Sequence, residues 1–161
     1  MQKALRYLTE EETEELYLVP IWISILIAGA DNKIEKSEIR KAIKIINEKQ
    51  QMENALIVEY YRMAAQKFEI NLKGYVALMP TDNEKRINFL AEKLDRVNYY
   101  FSKLGKDFSY QLYLSFRDFA NQVAHASGGF FGLLSVSYAE SKYIDLKMID
   151  DPSQIALETN V

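Results

Sequence analysis

The side chains that could do chemistry are a group of acids that follows an unusually apolar run. Asp31, Glu35 and Glu38 lie in the short stretch "DNKIEKSE", and carboxylate oxygens are the ligands that Ca²⁺ and Mg²⁺ prefer in proteins. The spacing is not that of an EF-hand, because Lys36 falls where that loop needs glycine and Ala42 where it needs a bidentate glutamate. The three carboxylates could still form a looser site for calcium or magnesium.

The same acids have a simpler interpretation as parts of a helix corner. Asp31 would cap the corner, and Glu38 would lie in the first turn of the next helix, where the helix dipole favours negative charge. This interpretation is the favoured one. A metal-dependent enzyme, or an enzyme subunit, that uses the acids around Asp31 stays open as the alternative to a protein without catalytic activity.

Composition argues against several other kinds of chemistry. The chain has no cysteine and one histidine, His125, which excludes disulfides and thiol nucleophiles and disfavours a zinc site. The segment "ASGG" lacks the pattern of a hydrolase nucleophile, so no residue is assigned a catalytic role. A net charge of −3 gives no reason to expect a nucleic-acid partner. The expected partners are proteins of unknown identity.

Two further features could contact a partner. Lys36, Arg40 and Lys44 recur at four-residue spacing on one predicted helix face. This stripe could meet an anion, although a solvated basic face is the commoner explanation. Phe130 and Phe131 lie between glycines in "SGGFFGLL", where exposed rings would mark a protein contact or a peripheral membrane contact. Rings that fold back into the core are the favoured alternative.

The elements that must position these residues are predicted to be helices. With 161 residues, six glycines and three prolines, the chain suits a single domain of long helices with few interruptions. No segment alternates convincingly with a period of two, so the predicted fold class is all-α, with about seven helices. The core is expected at about 10–150, and a loosely held tail at 151–161.

The apolar run at 16–30 is predicted to be a buried central helix, apolar on all sides because other helices surround it. Five glutamates between positions 10 and 15 precede the run where a signal peptide would carry positive charge. The run is also too short to cross a bilayer comfortably, so the expected location is the cytoplasm. Thr9 and Glu12 form a capping box that starts this helix, which is expected at about 10–30.

The remaining helices are predicted from apolar spacing and capping residues. They are expected at 36–49, 52–68, 83–104, from about 107 onward, and at 137–149, with a shorter turn at 72–78.

Two corners of the chain match each other. The segment "IAGAD" at 27–31 ends one long predicted helix, and "VAHAS" at 123–127 ends another. Each corner leads to a helix with an early glutamate, Glu38 in the first case and Glu140 in the second. The match predicts two pseudo-duplicated helical halves.

The first corner also resembles a known family. The segment "ADNKI" at 30–34, followed by Glu38, is similar to the A-D-G-x-I-x-x-x-E motif of TerB-like tellurite-resistance domains, and "VAHASGGFFGLLSVSYAE" resembles a variant of their second half. Asn32 stands where the motif has glycine, and Ser127 where the second half carries an acid. The resemblance covers about 11–149. It implies a duplicated all-α fold, no established enzymatic activity, acidic positions that hold a metal ion, and tellurite-type stress resistance near the inner membrane surface.

Overall fold

The computed structural model describes residues 2–30, 34–52, 55–127 and 143–154, and all regular structure in these ranges is helical. The helices are α1 (Gln2–Leu5), α2 (Glu10–Ala28), α3 (Lys36–Met52), α4 (Ala55–Ala65), α5 (Phe68–Leu78), α6 (Asn83–Lys103) and α7 (Lys106–Ser127). They surround one hydrophobic core. The prediction of a single all-α domain is confirmed.

The central helix is α2, which contacts α3, α4, α5, α6 and α7. Its residues 19–28 are all buried. A helix enclosed in this way has little surface in water, which explains why apolar residues occupy every side of it. The prediction of a buried central helix is confirmed.

Pro20 lies inside α2, and a tyrosine from α4 compensates for it. Proline has no N–H, so the carbonyl of Leu16 loses the hydrogen bond that the residue four positions later would donate. The Tyr60 hydroxyl donates to this carbonyl oxygen instead, at 2.7 Å. Tyr60 and Leu16 are fully buried, and desolvation raises the pKa of Tyr60 well above its ordinary value. The hydroxyl therefore keeps the proton that the bond requires.

Two predicted helix starts are present, and each has a side-chain capping bond. At α2, the Thr9 hydroxyl accepts from the Glu12 N–H at 3.2 Å, and the Glu12 carboxylate accepts from the Thr9 N–H at 2.8 Å. At α6, the Asp82 carboxylate accepts from the Lys85 N–H at 2.9 Å. Each bond satisfies a backbone group near the helix start that has no partner within the helix. Both predictions are confirmed.

A row of basic side chains on α6 bonds polar groups of α2, and we call this contact the α2–α6 seam. Lys103 bonds Glu12 at 2.6 Å, while Arg96 and Lys93 reach Glu15 at 3.1 and 3.5 Å. The pairs run in opposite directions along the two helices, so α2 and α6 are antiparallel. Both carboxylate side chains are 16% exposed, so water screens these pairs less than it screens pairs on the open surface.

Arg86 is the last basic residue of the seam and lies at the C-terminal end of α2. Its guanidinium donates to the carbonyl oxygen of Gly29 at 2.7 Å and to that of Pro80 at 3.3 Å, and the residue is 5% exposed. A cation is favourable here because the last carbonyls of a helix carry partial negative charge. A Cβ at position 29 would lie 2.7 Å from the Ile25 oxygen and 3.1 Å from Arg86 Nε, so this close approach requires glycine.

The structure corrects the sequence prediction in two places. The predicted helix at 52–68 and turn at 72–78 are replaced by α4 and α5, with a turn at Gln66 and Lys67 between them. The predicted last helix is wrong for its described part, because 143–149 forms turns. Leu146 there has a φ of 47°, outside the range of a right-handed helix.

These differences change the predicted helix count. α1 is a single turn of four residues, which leaves six longer helices among the described residues, so the predicted set of about seven is not confirmed. The two pseudo-duplicated halves are not confirmed either. Ile149 and Pro152 are buried, so the packed part of the chain extends into the start of the predicted tail.

Candidate functional site

The predicted acidic site at the start of α3 has the contacts of a helix cap. The Glu38 carboxylate accepts from the backbone N–H of Glu35 at 2.7 Å, and Glu38 is 8% exposed. The Glu35 carboxylate accepts from the Ser37 hydroxyl at 3.2 Å. In a capping box, the third residue of the helix bonds the backbone of the N-cap residue in this way.

The predicted metal site depends on Asp31, which lies outside the described residues. Within the described ranges, no three histidine or acidic side chains come together as metal ligands would. A calcium or magnesium site formed by Asp31, Glu35 and Glu38 therefore stays a prediction.

The histidine and the two phenylalanines singled out from the sequence do not form a described site. His125 Nδ1 donates to the carbonyl oxygen of Asn121 at 2.8 Å, one turn earlier in α7, which is a local contact near a helix C-terminus. Phe130 and Phe131 lie outside the described residues, so their burial or exposure stays a prediction.

A polar cluster in the core has the residue types of a catalytic group. The Lys49 ammonium bonds the Asp118 carboxylate at 2.7 Å and the Ser115 hydroxyl at 3.4 Å, and that hydroxyl donates to the Tyr61 hydroxyl at 2.9 Å. Lys49 is only 4% exposed, and none of the four residues lines the groove described below. The cluster supplies the partners that a buried cation needs and joins α3, α4 and α7.

A groove between α3 and α5, which we call the α3–α5 groove, is suited to holding part of another molecule. Two hollows of about 420 and 510 Å³ form it, and they share Ile43, Glu69 and Lys73. Hollows of this size can hold several side chains of a partner. The full lining comes from α3, the end of α4 and the start of α5: Lys36, Ile39, Arg40, Ile43, Ile46, Asn47, Ala65, Gln66, Phe68, Glu69, Ile70 and Lys73.

The floor of the groove is apolar and its rim is basic. The hollow that Lys36 and Arg40 line also contains Ile39 and Ile43, which are half-buried, whereas both cations are exposed. Within the described part of the chain, neither of these two cations has a carboxylate partner. No ion pair among the described residues connects α3 with α5. The rim charges are therefore left in water.

α5 also exposes apolar side chains beside the groove. Ile70 is 72% exposed and Leu78 is 85% exposed, and Gly74 and Ala77 between them are exposed as well. Residues at this spacing lie on one face of a helix, so we call them the α5 stripe. A continuous apolar patch of this kind is typical of a contact surface, whereas single exposed apolar residues are common everywhere.

A wider hollow of about 770 Å³ at the start of α6 is less suited to binding. Thr81, Asp82, Asn83 and Glu84 contribute to its lining. The Asp82 carboxylate already caps α6, and the Asn83 side chain accepts from Arg86 at 2.6 Å. Its polar groups therefore serve the local structure of the helix start.

The sequence revealed one side of the groove and not the other. The basic stripe at Lys36, Arg40 and Lys44 is visible from its spacing, although a solvated face is the interpretation that the sequence favours. The α5 side is not visible as long as 68–78 is taken for a helix end and a turn. A usable signal is the composition of α5, "FEINLKGYVAL", which carries only two charged residues. A surface helix ordinarily has a wider polar face.

None of the described helices combines the length and the hydropathy that crossing a membrane requires. Comparisons with protein-family models, with curated proteins and with solved structures give no match to this chain. The resemblance to TerB-like domains therefore rests on the motif residues alone.

Proposed function

We propose that this chain is a non-enzymatic helical domain that binds a protein partner in the α3–α5 groove. The observation that carries the proposal is the combination of an apolar floor with cations that bridge no helices among the described residues. In the α2–α6 seam, by contrast, the cations pair with carboxylates of another helix. Apolar surface that can still be desolvated is the main source of binding energy in protein interfaces.

The TerB-like resemblance supplies a biological setting for this proposal. A cytoplasmic TerB-like domain with two duplicated halves would act in tellurite-type stress resistance by holding partner proteins. Binding of a divalent ion is a secondary part, because the contacts of Glu38 support a capping role. Calorimetric titration with calcium, magnesium and manganese tests it. Saturable binding that Asp31→Asn abolishes would support an ion site. A heat of titration that is the same for the parent and for Asp31→Asn would support the capping role alone.

Site-specific photocrosslinking tests the partner proposal. A benzoylphenylalanine placed at Asn47 or at Ile70, on opposite walls of the groove, should form an adduct with the same protein in the cells that make this chain. The matched control is the same replacement at Leu114, an apolar residue of α7 that is 41% exposed and does not line the groove. Equal adducts at all three positions, or none at the groove positions, would contradict the proposal.

A further inference from the structure

The geometry points to an acidic amphipathic helix of a partner protein as the occupant of the α3–α5 groove. This inference rests on the proposed function and specifies the chemistry of the partner. Three observations carry it: the sign of the rim charges, the half-buried apolar side chains beside those charges, and the length of the groove along α3.

The charge of the groove is opposite to that of the whole chain. Its lining contains three basic side chains, Lys36, Arg40 and Lys73, and one acidic side chain, Glu69, an excess of two positive charges. The chain as a whole carries a formal net charge of −3. Lys73 pairs with Glu69 inside α5 at 2.5 Å, which leaves the two cations of α3 as the available ones. Complementary charge would select a partner segment rich in aspartate and glutamate.

The floor requires apolar side chains as well as acids. Ile39 and Ile43 line the same hollow as Lys36 and Arg40 and are half-buried beside those exposed cations, so apolar side chains of a partner can still cover them. A flat bilayer would meet the rim first and leave this recessed floor uncovered. The arrangement favours a segment with apolar anchors on one face and acids beside them.

The length of the groove suits a helix. Its α3 wall runs from Lys36 to Asn47, and at 1.5 Å per residue this is about 16 Å, or three helical turns. An amphipathic helix in a groove places its anchors three or four residues apart along such a length. Packing of two copies through this same groove is disfavoured, since a twofold interface would bring together two surfaces that each carry an excess of positive charge.

Selection from a displayed library of random peptides of about 16 residues against the full chain tests the inference. We expect enriched peptides to be acidic, with apolar residues at helical spacing, and to lose affinity as salt rises. The double variant Lys36→Glu with Arg40→Glu should weaken them by roughly tenfold or more. The matched control is Lys85→Glu with Lys106→Glu, two exposed lysines near helix starts that do not line the groove. It should bind like the parent.

The other outcomes separate this inference from the proposed function. Enrichment of neutral or basic peptides would overturn the acidic partner. If Ile70→Asp abolishes their binding, the groove would remain a binding site. If no peptide is enriched and no crosslink forms at Asn47 or Ile70, both the acidic partner and the proposed function would be contradicted. Phosphatidylserine vesicles that bind the parent but not the charge-reversed variant, in the absence of peptide binding, would replace the protein helix with a membrane surface.

Discussion

The α2–α6 seam and the α3–α5 groove use the same kinds of side chains in opposite ways. In the seam, basic residues of α6 bond two carboxylates and a terminal carbonyl of α2, so each contact joins two helices. On α3 and α5, the pairs Lys44–Glu48 and Lys73–Glu69 each lie within one helix. Two cations of the groove rim have no carboxylate partner among the described residues.

This difference follows from packing and not from composition. α2 and α6 lie close enough for their charged groups to be partly withdrawn from water, where electrostatic contacts are stronger. The pairs on α3 and α5 are exposed to water, and an exposed ion pair contributes only about 0–1 kcal/mol. We infer that the seam charges stabilise the fold, whereas the groove charges add little to stability and are available for binding.

The largest effect on stability is expected at Arg86, the most buried cation of the seam. Arg86→Met leaves the carbonyl oxygens of Gly29 and Pro80 without their charged donor, and an unsatisfied buried acceptor costs about 1–3 kcal/mol. We expect a loss of about 3 kcal/mol in the free energy of unfolding, measured by urea denaturation.

A matched control for this variant lies on the same helix. Arg96 is 51% exposed at its side chain, so Arg96→Met should cost less than about 1 kcal/mol. Arg86→Lys should fall between the two, because lysine keeps the charge but not the two-pronged geometry. Equal losses for Arg86→Met and Arg96→Met would show that burial does not distinguish seam contacts from surface contacts.

A smaller effect is expected at Tyr60, whose neutral hydroxyl supplies the hydrogen bond that Pro20 removes from α2. Tyr60→Phe removes the donor to Leu16, whose carbonyl Pro20 cannot satisfy, and should cost about 1–2 kcal/mol. Pro20→Ala restores a backbone N–H at the position that can bond this carbonyl. The loss from Tyr60→Phe should therefore be smaller in the Pro20→Ala background. Strictly additive losses in this double-mutant cycle, again by urea denaturation, would refute the compensation.

Part of the helical fold could be predicted because it depends on residues that are close together in the sequence. α2 is recognisable from an apolar run without a polar face, and its start from Thr9 and Glu12. The break between α4 and α5 could not be predicted, since Gln66 and Lys67 are neither glycine nor proline and both are compatible with a helix. Packing of Phe68 and Leu72 into the core places the turn there instead.

The groove could be predicted only in part for a related reason. Lys36 and Arg40 are a visible basic stripe, but a groove exists only where a second helix lies beside that stripe. The position of α5 depends on contacts with α2, α3 and α4, which are distant in sequence. The seam was missed for the same reason, although its basic residues at 86, 93, 96 and 103 recur along one face of α6.

A pH-dependent effect should distinguish the seam charges from an exposed ion pair within one helix. The hydrogen bond from Lys103 and that from the Thr9 N–H lower the pKa of Glu12 below its ordinary value of 4.5. A lowered folded pKa contributes stability above pH 4.5 that is lost as the pH falls through the folded pKa. The excess stability of the parent over Glu12→Gln should therefore be constant near neutral pH and shrink below about pH 4.5.

The measurement is urea denaturation of both proteins from about pH 8 to about pH 3. The matched control is Glu48→Gln, because the Glu48 side chain is 49% exposed and its pair with Lys44 lies within α3. That change should cost less than Glu12→Gln at neutral pH. A difference between the parent and Glu12→Gln that stays constant down to the acid end would mean that the Lys103 contact adds nothing to the fold.

The smallest effect on stability is expected at the α5 stripe, and it tests whether the groove side is open. Ile70→Gln combined with Leu78→Gln replaces two largely exposed side chains, so the free energy of unfolding should change by no more than about 0.5 kcal/mol. The same double variant should lose the groove crosslink from Asn47, whereas Leu114→Gln should keep it. A destabilisation of about 2 kcal/mol or more would show that the stripe is covered within the folded chain. The contrast between a closed seam and an open groove would then fail, because both sides would be serving the stability of the fold.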